Sequence, residues 1–85
     1  MTKPRVTQEQ LDILRHTVGL DKGTKPYRNH FAADPGHEDY DDLTELCTMG
    51  LMIKRQSPVS SDKLFHITDM GCWMLGLSGL GAIER

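Results

Sequence analysis

Between Leu46 and Gly71 this chain runs through a glycine stop, two short apolar segments and a threonine start, an order that few folds accommodate. A leucine-bearing helix ends at Gly50, because glycine takes the left-handed conformation that closes a helix at no steric cost. Leu51-Met52-Ile53 is a compact apolar run, and Leu64 to Ile67 is a second. Ser57-Pro58-Val59-Ser60-Ser61-Asp62 lies between them as a turn, so the pair reads as a β-hairpin. Thr68-Asp69 then supplies a capping hydroxyl and a first-turn carboxylate, which open another helix. Helix, hairpin and helix in succession require a small α+β domain.

The remaining elements are set by the same signals. Thr7 with Gln10 three residues later makes a capping box, and Leu11, Leu14 and Val18 form one apolar stripe with Ile13 beside it. The spacing predicts a first helix over Gln8–Val18, stopped by Gly19. Lys22-Gly23-Thr24-Lys25-Pro26 reads as a turn. Tyr27 to Ala33 fits one short strand or one helical turn. Asp34-Pro35-Gly36 breaks the chain again. A second helix is predicted over Tyr40–Met49, with Asp39 as its N-cap and Tyr40, Leu43, Leu46 and Cys47 facing inward. In the last helix Met70, Trp73, Met74 and Leu77 fall on one face, large enough to cover the first helix. Gly76, Gly79 and Gly81 weaken any helix continuing past Leu75, so the end is expected to fray unless Leu77, Leu80 and Ile83 dock elsewhere. The expected core is Leu11, Leu14, Val18, Phe31, Leu43, Leu46, Leu51, Ile53, Phe65, Ile67, Trp73 and Leu77.

Eighty-five residues suffice for one domain, expected over 1–85. No run of about 18 apolar residues is present, so no membrane helix is expected. The first five residues lack the apolar stretch of a signal peptide, and a cytoplasmic location is expected. Cys47 and Cys72 fit that setting as free thiols in apolar helical surroundings. The net charge of −2 conceals an asymmetry: residues 1–31 carry +3, residues 32–52 carry −6 and residues 53–85 carry +1. An acidic block between basic flanks attracts those flanks or a basic partner.

The segment from Leu46 through Leu75 resembles the second half of winged-helix regulators of the MarR and PadR type. The residues that carry the likeness are Leu43 and Leu46, the Gly50-Leu51 step, the hairpin over Met52–Ile67 and Thr68-Asp69-Met70-Gly71. The chain as a whole also resembles short phage and prophage proteins built as a reduced winged helix. The resemblance implies three helices, a hairpin wing and a nucleic-acid or protein partner. Two departures count against the first of these partners. Pro26, Pro35 and Gly36 occupy the slot where a helix-turn-helix carries its first helix. The recognition-helix segment Glu38 to Glu45 holds five acids and no base, where phosphate contacts need lysine and arginine.

Three constellations could carry a function. Glu38, Asp39, Asp41, Asp42 and Glu45 form an acidic face that suits a basic protein partner or a second copy of the chain. Lys22, Lys25, Arg28, Lys54, Arg55 and Lys63 are the residues a DNA-binding regulator would use, with Arg5 and Arg15 behind them; taken singly, Lys54, Arg55 and Lys63 read as ordinary strand charge. Tyr27 to Phe31 mixes aromatics with a base, which suits a single strand, although a core this small has its own need for Tyr27 and Phe31. His16, His30, His37 and His66 with the cysteines lack the paired spacings of zinc ligands. His37 among the acids would be a mildly pH-sensitive spot. Asp41 and Glu45 share a helical face, but no nucleophile or glycine loop completes a catalytic set. The sequence therefore points to a non-enzymatic interaction module, with no cofactor and no small-molecule substrate, and to a DNA-binding regulator as the alternative.

Overall fold

The computed structural model describes residues 5–20, 26, 28–77 and 79–82. Its elements are α1 (Gln8–Val18), β1 (Phe31–Ala33), α2 (Tyr40–Thr48), β2 (Met52–Gln56), β3 (Lys63–Ile67) and α3 (Asp69–Met74), with a 3-10 turn over Leu80–Ala82. The strands form one antiparallel sheet in the order β1-β3-β2. This is a small α+β domain with three α-helices and a three-stranded antiparallel sheet.

Each helix begins and ends for a local reason. Thr7 caps α1 through a complete capping box with Gln10, and Gly19 closes it at a φ of 89°. Residues 28–30 then fold back over this end: the Arg28 and His30 amides donate to the carbonyls of Val18 and Thr17. The Arg28 guanidinium donates to the His16 carbonyl through Nε at 3.0 Å and Nη2 at 2.7 Å, placing a cation at the negative helix terminus. Asp39 stands at the N-cap position of α2, as expected, but does not cap it through its side chain. Its backbone is already helical. The turn before it is held instead by Asp34, whose Oδ1 accepts from the Gly36 amide at 2.8 Å, and by His37, whose Nδ1 accepts from the Asp39 amide at 3.0 Å. Residues 34–39 form a turn, so no helix precedes α2 in the chain's path from β1.

Residues 28–33 take the extended alternative. β1 pairs with β3 in the register Phe31↔Phe65 and Ala33↔Lys63. Asn29 prolongs the ladder with its side chain, accepting from the Ile67 amide at 2.7 Å. Tyr27 lies outside the described residues, as do Lys22, Lys25 and Ile83. Thr68 joins the hairpin to the last helix: its amide donates to Leu51 O, its hydroxyl donates to Gly50 O, and the same oxygen accepts from the Gly71 amide.

The core is built from Leu14, Val18, Leu43, Leu46, Leu51, Phe65 and Ile67, as the spacing predicts, with Ile13, Ala33, Met52 and Cys72 added. Phe31, Leu77 and Leu80 pack on its margin. Leu11 is only half-buried. Two expected core residues lie outside. Ile53 is 51% exposed, because Met52 pairs with Ile67 on the inner face and strand alternation turns Ile53 outward. Trp73 is 43% exposed and Met70 is exposed beside it, so α3 does not roof α1 as expected and packs chiefly on β3. Among the described residues beyond α3, Leu77 and Leu80 dock on the core, and the Leu80 amide donates to Asp69 Oδ1 at 2.8 Å.

Candidate functional site

The acidic residues converge more widely than the second helix alone. Glu9, Asp12 and His16 lie along one side of α1, spaced three and four residues apart. Across from them, His37, Glu38 and Asp39 make the turn that leads into α2. Between the two lies a cleft of about 520 Å³ with Ile13 and Phe31 among its lining residues. The Phe31 ring meets His16 edge-on at 5.3 Å and His37 edge-on at 5.7 Å. Four carboxylates and two imidazoles line this cleft, with no lysine or arginine among the described residues.

Of the five acids expected to form the site, Glu38 and Asp39 line the cleft. Asp41 and Glu45 are exposed on α2. Asp42 turns toward α1, where it accepts from Gln10 Nε2 at 3.3 Å. Glu9, Asp12 and His16 join the acidic face, although nothing in their spacing marks them as partner-binding residues. They look like an ordinary solvated helix side until the fold brings β1 and the turn across from them.

The basic residues separate. Lys54 and Arg55 are neighbours in β2, and alternation sends them to opposite faces of the sheet. Lys54 lies over the Tyr40 ring, 5.8 Å from its centre. Lys63 donates through Nζ to Gln56 Oε1, its cross-strand neighbour. Arg55 instead lines a groove of about 460 Å³ with Arg28, His30, Ile53 and His66. Across this groove Nδ1 of His66 donates to the Asn29 carbonyl at 2.7 Å. The hairpin bases therefore make no single basic wing, whereas Arg28 and Arg55, 27 positions apart in sequence, share one surface.

Both thiols are held toward their protonated form. Burial pushes the Cys47 thiol up, partly offset by the Lys54 ammonium. Burial also pushes the Cys72 thiol up, and the Asp69 carboxylate adds to the effect. Activation needs the opposite shift. Both cysteines are free. Among the described residues no three His, Cys, Asp or Glu side chains are grouped so as to hold a metal ion. Among the same residues no helix is long and apolar enough to cross a membrane. No protein-family model, no curated protein and no solved structure matches this chain.

Proposed function

We propose that the chain is a reduced winged-helix-like domain of bacterial or phage type that works as a non-enzymatic interaction module. It docks a basic stretch of another protein, or of a second copy of itself, on the acidic face made by α1 and the approach to α2. The element order α1-β1-α2-β2-β3-α3, with a hairpin after a glycine-stopped helix, supports the winged-helix likeness. The free state of Cys47 and Cys72 fits a reducing cytoplasm.

One observation carries the reading. Glu9, Asp12, Glu38 and Asp39 line one cleft, and no described lysine or arginine lies in it. Like charges held together repel one another, and a basic partner relieves that repulsion while steering its own approach. The second reading, a duplex-binding regulator, has less support: the three hairpin bases meet three different neighbours, and α2 offers carboxylates where duplex readers offer bases.

The test is a titration of the isotope-labelled chain with a lysine- and arginine-rich peptide. Amide shifts are expected at Glu9, Asp12, Ile13, His16, Phe31 and Glu38. Shifts confined to other residues, or none at low salt, would remove the reading.

A further inference from the structure

We propose that the groove on the outer face of the sheet binds single-stranded nucleic acid, with phosphates on Arg28 and Arg55 and a base against Ile53. This does not rest on the acidic-face reading, because the two surfaces share no residue.

Charge selects the class of ligand. In a chain of net charge −2, the charged side chains lining this groove are the guanidiniums of Arg28 and Arg55, joined by the imidazoles of His30 and His66. No carboxylate is among its described lining residues. Such a groove selects an anion.

Two of these groups are held in place before any ligand arrives. Arg28 is anchored by two donor bonds to the His16 carbonyl, so its charge is fixed and little entropy is lost when an anion binds. His66 is fixed through Nδ1 by the Asn29 carbonyl, which sets the orientation of its ring in the groove. Arg55 is exposed on β2.

An apolar platform separates a nucleic acid from an acidic peptide. Ile53 is 51% exposed and lies directly opposite His66 in the ladder, so an apolar side chain and an imidazole stand side by side next to the cations. Leu80 borders the same groove. A carboxylate side chain would use the cations and leave this platform bare, whereas a nucleotide unit occupies both, its base on Ile53 and the His66 ring and its phosphate on a guanidinium. The groove volume of about 460 Å³ falls in the range of small-ligand sites and suits an unpaired unit, not a duplex. Two arginines on separate segments give two phosphate positions, which a strand fills and a mononucleotide does not.

The experiment is fluorescence anisotropy of a labelled oligothymidylate of about ten nucleotides with the full chain, at about 50 and 200 mM salt. Two phosphate contacts to a single strand predict a log-log salt slope near about −1.4. Arg55→Glu is expected to weaken binding at least about tenfold, and Ile53→Ser about threefold or more, the loss of one apolar contact. Both positions are exposed, and circular dichroism of each variant checks that the fold is kept. Amide shifts at Asn29, His30, Arg55 and His66 locate the site independently of the variants. Absence of salt-dependent binding at about 50 mM, or affinity indifferent to Arg55→Glu, overturns the proposal. Equal affinity for adenosine monophosphate or inorganic phosphate overturns the strand as the source. Equal affinity for polyglutamate, or self-association abolished by Arg55→Glu, assigns the groove to acidic polypeptide and overturns it too.

Discussion

Asn29 and Ile67 are joined at both ends of one side-chain amide. The Ile67 amide donates to Asn29 Oδ1 at 2.7 Å, and Asn29 Nδ2 donates back to the Ile67 carbonyl at 3.4 Å. A side chain thereby does the work of one more strand residue, extending β1 along β3 toward α3. Asn29→Ala leaves the Ile67 peptide unpaired in a half-buried setting. A loss of about 1–3 kcal/mol is expected in urea unfolding.

Gly71 marks the tightest approach of α3 to the hairpin. A Cβ there would lie 2.3 Å from the Leu51 carbonyl oxygen and 2.4 Å from Ile67 Cγ1. Backbone on one side and a buried side chain on the other leave nowhere to move. Gly71→Ala is expected to cost about 1–3 kcal/mol, the usual range for overpacking. Gly81→Ala, whose added Cβ meets nothing within 4 Å, is the control and should stay within about 0.5 kcal/mol of the parent. Denaturant midpoints at equal slope distinguish the two.

Gln10 is a buried polar residue with two duties. Its Oε1 accepts from the Thr7 amide at 3.0 Å, and its Nε2 donates to Asp42 at 3.3 Å. Gln10→Ala removes half of the capping box and the tie between α1 and α2. About 1–2 kcal/mol of stability should be lost, and Thr7→Ala about 1 kcal/mol. Thermal melts of both variants and of their double mutant measure how far the two losses overlap.

The thiols give a pH-dependent readout. Because both are raised, less thiolate is present at pH 8 than in an unfolded cysteine, and alkylation is expected to be slow until the chain is denatured. Cys72 is fully buried and Cys47 is not, so Cys47 should react first. A fold that favours the protonated thiol keeps that contribution to stability below the ordinary thiol range and loses it as pH rises through the raised value. Stopped alkylation between pH 7 and 9.5 with Cys47→Ser and Cys72→Ser checks the order. Faster reaction of Cys72 than of Cys47 would contradict it.

How much of the fold is legible in the residues depends on how local the cause is. The bounds of α1, the stop at Gly50 and the cap at Thr68 are each set within four residues of themselves, and each is where the spacing places it. β1 reads equally as strand or helix because a three-residue strand is too short to show a period. Its pairing partner, β3, lies 30 to 34 residues away. The Leu51-Met52-Ile53 run hides an alternation that only the Met52↔Ile67 pairing resolves. The same alternation, applied to Lys54 and Arg55, splits the basic wing at once. The acidic segment before α2 is plain in the sequence. That Glu9 and Asp12 face it is not, since nothing local says where α1 packs.

The central claim is that the acidic face receives a basic polypeptide. Its most direct test is the affinity of a lysine- and arginine-rich peptide for the parent chain and for a variant carrying Glu9→Lys, Asp12→Lys and Glu38→Lys, all at exposed positions. The account predicts salt-sensitive binding by the parent and at least about a tenfold loss, roughly 1.4 kcal/mol, in a variant that remains folded. Equal affinity in the two folded proteins would contradict it.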